Sequence, residues 1–375
     1  MSKKLTPLIL LLAMNLRLAV TAIPPLFGII QQHLHITNTT TALLVTLPLI
    51  CFAIGALAAP RLIHQLGIGP LLLLTTGILV IANIGRPINR LTLIGGTILI
   101  GGAIALLNIL IPTLIAATTP SRVTQMTSYY SLTMNLIAAI GTAIILPLAT
   151  VWGWTTAMQL LGLPAGFALL ASVFYRHALP TQSRVTSTTN VHWKLDRSTT
   201  LLALFMGCQS LIFYTLTTWL PTIYQAFGAS AAEAGTLLSV FQLVGIPAAL
   251  VLTYRWHFQR LLPLILLGYL VGLTCLLWRG WGHWLSAIIL GFTCSLVFTL
   301  ALNLIATSSR RVTVVAQRSA IAQSCGYLLA AVGPLLLGQL NHIFASWQPG
   351  LFLIGGLMIL TVSIGYALVT TTHQQ

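Results

Sequence analysis

Acidic residues are almost missing from this chain: of 375 residues only Asp196 and Glu233 are carboxylates, against 17 Lys and Arg. A chemistry built on paired carboxylates, or a metal held by a carboxylate cluster, is therefore excluded. Charge of either sign is scarce too, at 5% of residues, where soluble domains carry roughly 25%. That excludes a soluble globular protein. Cysteine gives no framework either: Cys51, Cys208, Cys275, Cys294 and Cys325 are isolated within apolar runs, without C-x-x-C spacing, and read as small packing residues. The nine His fall in loops or at helix ends without metal-ligand spacing inside one helix, so solvated or interfacial imidazoles are expected. No nucleophile with a nearby base is found, and the expectation is a protein that is not an enzyme and uses no cofactor or metal.

What the chain does have is apolar length. Hydrophobic residues make up 57% of it, in twelve runs near 5–31, 39–60, 69–85, 91–117, 123–150, 154–175, 199–226, 231–254, 261–278, 283–306, 316–343 and 348–370. Runs of about 20 residues match the thickness of a bilayer core, which predicts an all-α integral membrane protein. The third and ninth are short. With the N-terminus inside, 13 of the Lys and Arg fall on the cytoplasmic side and only Arg86, Arg90 and Arg279 outside. This predicts a multi-pass protein of the cytoplasmic membrane with both termini cytoplasmic. The first run, with Pro24 and Pro25 and no small-residue cleavage site, reads as a retained helix. The formal charge of +15 is spread over short loops, so membrane lipids and no nucleic acid are the expected partners, beside a small-molecule substrate, for a monomer.

The polar stretch 176–200 divides the runs six and six, predicting an N-terminal bundle over 1–176, a cytoplasmic linker over 177–197 and a C-terminal bundle over 198–375. The halves superpose as sequence. Ala138-Ala139-Ile140-Gly141 lies over Ala330-Ala331-Val332-Gly333, which sets Ser131 and Asn135 on Gln323 and Tyr327. Laying Pro24 on Pro221 sets Arg17 and Thr21 on Tyr214 and Thr218, and Arg86 corresponds to Arg279. Residues spaced i, i+4 share a helix face, and a polar face inside a membrane must meet protein or a wet cavity. Repeated polar faces in two halves are the pattern of secondary transporters.

Arg17 is the most informative member, near the middle of the first run. An intramembrane Arg costs about 2.5–3.5 kcal/mol on insertion scales, yet no acid lies in the interior of an apolar run to pair with it, Glu233 standing at the very start of 231–254. Carbonyls or neutral side chains could hold it, or a negatively charged ligand that comes and goes. Asn15, about 200 degrees around an ideal helix, does not share its face. Substrate-binding candidates are Arg17, Thr21, Asn135, Tyr214, Gln323 and Tyr327, followed by Asn108, Gln209 and Gln242. Interhelical hydrogen bonding is the competing role for the uncharged ones. Arg86 and Arg279 read as interfacial snorkelling side chains or as attractors of anions. Trp219 is expected at an outer gate. Ser230 and Glu233 have capping-box spacing, and Asp196 sits where a helix N-terminus favours an anion.

Several stretches carry a resemblance. Met14-Asn15-Leu16-Arg17 with Thr21 and Pro24-Pro25, Gln209–Tyr214 with Trp219-Leu220-Pro221, Ala231–Gly235 running to Pro247, and Ala322–Pro334 resemble the cyanate and 2-nitroimidazole transporter family of the major facilitator superfamily. The resemblance implies two pseudo-symmetric six-helix bundles, alternating access, and a cyanate-like anion or nitro-heterocycle as substrate. The chain departs from the superfamily pattern at Ala59–Gly67, which keeps Arg61 and Gly67 but has no acid. The rivals are a multidrug-type efflux carrier, which would favour cations, and an ion channel, which would need rings of polar residues.

Overall fold

The computed structural model describes residues 5–118, 123–179, 196–251, 258–306, 308 and 312–372. Most of the expected linker lies outside the described residues, with Lys3, Lys4, Arg122, Arg184, Lys194, Arg255, Arg310 and Arg311 of the orientation count. Every regular element among the described residues is helical. This follows from the composition, since a helix satisfies its backbone within itself where lipid offers no partner.

The chain falls into two compact units, one of Met1–Thr37 with Leu47–Thr189, the other of Asn38–Thr46 with Asn190–Gln375. The first unit holds α1 (Thr6–Ala13), α2 (Leu18–Thr21), α3 (Phe27–Leu34), most of α4 (Asn38–Leu66), α5 (Ile68–Gly85), α6 (Arg90–Thr118), α7 (Val123–Trp152), α8 (Trp154–Leu160) and α9 (Leu163–Phe174). The second holds α10 (Arg197–Ala226), α11 (Ala231–Leu243), α12 (Gly245–Val251), α13 (Phe258–Leu276), α14 (Trp281–Ala306), α15 (Val312–Phe344) and α16 (Gln348–Thr372). Among the described residues eleven stretches are long and apolar enough to cross a membrane; a further apolar helix, Arg260–Leu276, is shorter. The expected short third run does qualify, as Ile68–Gly85.

Three runs expected as single helices are broken. The first becomes α1, α2 and α3, the sixth is cut at Leu161–Gly162 ahead of Pro164, and the eighth at Val244 ahead of Pro247. Gly67 (φ +80°) and Gly153 (φ +82°) make the tight turns from α4 to α5 and from α7 to α8, in the region only glycine enters freely. Threonines survive at membrane depth by returning their hydroxyls to the carbonyl one turn back, as Thr76 does to Leu72 at 2.7 Å and Thr97 to Leu93 at 2.6 Å. Large side chains such as Ile81, Leu91 and Phe352 stay on the outside, as lipid-facing residues do. In the second unit α10 packs along α15, where Trp219 is fully buried and donates Nε1–H to Pro334 O at 2.8 Å. The expected gate residue is thus a strut inside one unit.

Candidate functional site

The polar group of the first unit begins with a competition for one carbonyl. Asn15 donates its side-chain Nδ2 to Leu11 O at 2.8 Å, the acceptor its own backbone N–H would take in an α-helix. That N–H turns to Leu12 O at 3.1 Å and Leu16 N to Ala13 O at 3.2 Å, so the helix tightens and α1 stops. It restarts at Leu18 with Arg17 as the N-cap, at φ −128° and ψ −32°. Arg17 O then accepts from the N–H of Val20 and Thr21 and from Thr21 Oγ1 at 3.1 Å. Pro25 has no N–H for Thr21 O, and Thr142 of α7 turns its hydroxyl there at 3.2 Å, shared with Ala138 O at 2.8 Å.

At this break the half-buried Arg17 donates Nη1–H to Asn135 Oδ1 of α7 at 2.9 Å. An amide orients a guanidinium without neutralising it. Neither segment of the unit contains an Asp or Glu. Thr21 is buried, and its hydroxyl hydrogen is committed to the helix backbone. Asn108 is half-buried on α6.

Arg86 corrects the expectation of snorkelling. It is 2% exposed at the end of α5 and donates Nη1–H to Ala19 O of α2 at 2.8 Å. Burial pushes its pKa down to about 9, which leaves it charged at neutral pH. Its sequence counterpart Arg279 is exposed, lying against Gly228. The symmetry of the two halves concealed the difference.

The second unit presents an aromatic cluster. The rings of Tyr214 (α10) and Tyr327 (α15) stand edge to face at 6.4 Å, Phe213 meets Tyr214 at 5.3 Å, and Phe213 meets Phe241 (α11) at 5.9 Å. Gln323 is half-buried four residues before Tyr327 on α15, and Gln242 half-buried at the last turn of α11. Gln209 is turned away from the cluster: it is 2% exposed, and its Nε2 bonds Ser210 Oγ at 2.7 Å and Met206 Sδ at 3.3 Å. The structure therefore joins Arg17 to Asn135 in the first unit and Tyr214 to Tyr327 in the second, and leaves Gln209 outside the aromatic cluster.

Both acids lie at helix N-termini, Asp196 as the cap of α10 and Glu233 in the first turn of α11, which Ser230 caps. Ser230 Oγ accepts from Glu233 N at 3.1 Å, and Asp196 Oδ1 from Thr199 N at 2.8 Å. Asp196 also pairs with Arg318 of α15 at 2.6 Å, a contact not foreseen. Burial alone would raise its pKa; the hydrogen bonds from Thr199 and the Arg318 charge outweigh it and hold the carboxyl below its usual value. His283 departs from the expectation of a wetted imidazole, being 1% exposed against the Tyr224 ring at 5.2 Å.

Twelve apolar stretches in two units, with polar groups set at breaks in the helices, describe a carrier more readily than an enzyme. The sequence matches the model of the Major Facilitator Superfamily over residues 9–316. The chain belongs to that superfamily. It is 36% identical to an uncharacterized transporter, YycB, of Bacillus subtilis (strain 168), over 94% of this chain and 90% of that one. It is 34% identical to the 2-nitroimidazole transporter of Escherichia coli (strain K12), over 95% and 93%, and 24% to the cyanate transport protein CynX of the same organism, over 94% and 95%. Among solved structures, the xylose transporter XylE from E. coli shares the fold at a TM-score of 0.79 with 11% identity, covering 98% of this chain and 96% of that one. As a superfamily member the chain is a multi-pass membrane transporter of small molecules and not an enzyme.

Proposed function

We propose that the protein carries a small anion or a compact nitro-heterocycle across the cytoplasmic membrane by alternating access, with both termini cytoplasmic and one chain as the working unit. The observation that carries this reading is the Arg17 guanidinium at the break between α1 and α2, oriented by a neutral amide at 2.9 Å in a unit without a carboxylate. A charged, potentially bidentate donor set at a break in a membrane-spanning run suits an anionic ligand that comes and goes. The faces of Tyr214, Tyr327 and Phe213 offer a flat surface for a heterocycle, and Gln323 and Gln242 adjustable hydrogen bonds. The relatives named for cyanate and 2-nitroimidazole support this substrate class. Export of amphiphilic cations is the poorer reading, since the one carboxylate that falls within a described span, Glu233, stands in the first turn of α11 at its end and not at membrane depth.

The test is uptake into proteoliposomes of labelled cyanate, a 2-nitroimidazole and a lipophilic cation by the wild type and by Arg17→Gln. Uptake of the first two, lost in the variant, is expected; uptake of the cation alone would overturn the reading.

A further inference from the structure

Arg86 has more hydrogen-bonding capacity than its surroundings use. A guanidinium presents five N–H donors, and the described acceptor is Ala19 O, which takes Nη1. Nε and Nη2 are both buried without a partner among the described residues. These two nitrogens form the side-on edge of the guanidinium, the edge that grips two oxygens of one group with parallel hydrogen bonds.

Holding Ala19 O does not require this residue. That carbonyl lies in the segment where Ala22–Ile23 and the two prolines interrupt the ladder, and a neutral donor could serve it. The same segment shows such a solution two residues on, where the Thr142 hydroxyl reaches Thr21 O. A buried charge in place of a hydroxyl carries a heavy desolvation cost, so the charge is surplus to bracing. Nor can an acid of the unit offset it, because the unit has none. Gly96 of α6 seats the residue deep: a Cβ there would stand 3.1 Å from Arg86 Cβ. The side chain thus meets α2 two residues beyond Arg17, and two cations serve one four-residue helix.

We infer that Arg86 is a second ligand-binding residue, whose Nε–Nη2 edge takes a planar group with two oxygens on one centre, a nitro group or a small oxoanion. The inference rests on the anion reading of Arg17 and extends it. Arg17 accepts either a linear or a forked anion, and Arg86 adds preference for the forked one. Lys at position 86 keeps the charge and a donor for Ala19 O but loses the parallel edge.

The experiment measures dissociation constants for nitrate, which is forked, and cyanate, which is linear, by ligand-dependent melting of the purified protein. The variants are Arg86→Lys, Arg86→Gln and Arg17→Gln. Arg86→Lys is expected to weaken nitrate at least tenfold more than cyanate, and Arg17→Gln to weaken both. A purely bracing role would change the melting temperature without ligand and leave the nitrate-to-cyanate ratio as in the wild type. That unchanged ratio in Arg86→Lys, with both anions lost in Arg17→Gln, would overturn the inference and leave the Arg17 site standing. Unchanged binding of both anions in Arg17→Gln would overturn the reading of Arg17 instead. Should Arg86→Gln not fold, the Lys variant decides alone.

Discussion

Replacing Asn135 by Asp would set a carboxylate where the wild type has an amide, 2.9 Å from Arg17 Nη1. The change adds no bulk, so its effect is electrostatic. With charge centres about 4 Å apart and an effective dielectric near 20 for a half-buried site, the new pair attracts by about 4 kcal/mol. An incoming anion must displace that partner, and 4 kcal/mol corresponds to nearly a thousandfold in affinity. Asn135→Leu, by contrast, removes one hydrogen bond to a charged group, worth about 1.5–3 kcal/mol. Arg17 keeps further interactions and is half exposed, so the lower figure applies and the loss is roughly tenfold. The expected order of anion uptake in proteoliposomes is therefore wild type, then Leu, then Asp, while the Asp protein melts at the highest temperature of the three. If Arg17 only braced the fold, Asn135→Asp would strengthen the brace and transport normally. Wild-type uptake by that variant would refute the reasoning.

Other perturbations test the parts separately. Asn15→Ala frees Leu11 O for the backbone and replaces a poor helix former, so the melting temperature is expected to rise while uptake falls, because Arg17 is carried off its break; unchanged uptake would separate the break from function. Gly101→Val puts a Cβ 2.7 Å from Pro48 Cα, where no side-chain rotation relieves the clash, and is expected to cost about 1–3 kcal/mol of stability; Gly102→Val, with open space at its Cβ, is the control. Asp196→Asn keeps a good N-cap but loses the pair with Arg318, a loss of about 0.2–1 kcal/mol given that the carboxylate is half exposed. Because its folded pKa is depressed, that stability is present above the unfolded value of about 3.9 and lost as pH falls through the lower folded value. Melting curves should show this acid loss in the wild type and not in Asp196→Asn.

The membrane class and the spans were legible because length and hydropathy are local properties. Arg17 stood out for the same reason: its cost in an apolar run can be read without knowing its neighbours. Its pairing with Asn135 could not be read, since 118 residues separate them and only packing brings α7 to the break. The break itself leaves a faint signature, an Asn inside an apolar run, with no Gly or Pro between Pro7 and Pro24 to announce it. Arg86 was the hardest to place, because an Arg at the end of a span has the same pattern whether it folds inward or reaches for the headgroups. Arg279, its counterpart, remains exposed.

The most direct test of the central claim is the melting temperature of the purified wild type and Arg17→Gln with nitrate, cyanate, a 2-nitroimidazole or a lipophilic cation added. A ligand at a hundred times its dissociation constant adds about 2.7 kcal/mol to a folded state that alone binds it. The expected result is stabilisation of the wild type by the anions or the nitro compound, absent in Arg17→Gln. Stabilisation by the cation, or by the anions equally in both proteins, would contradict the assignment of Arg17 as the anchor.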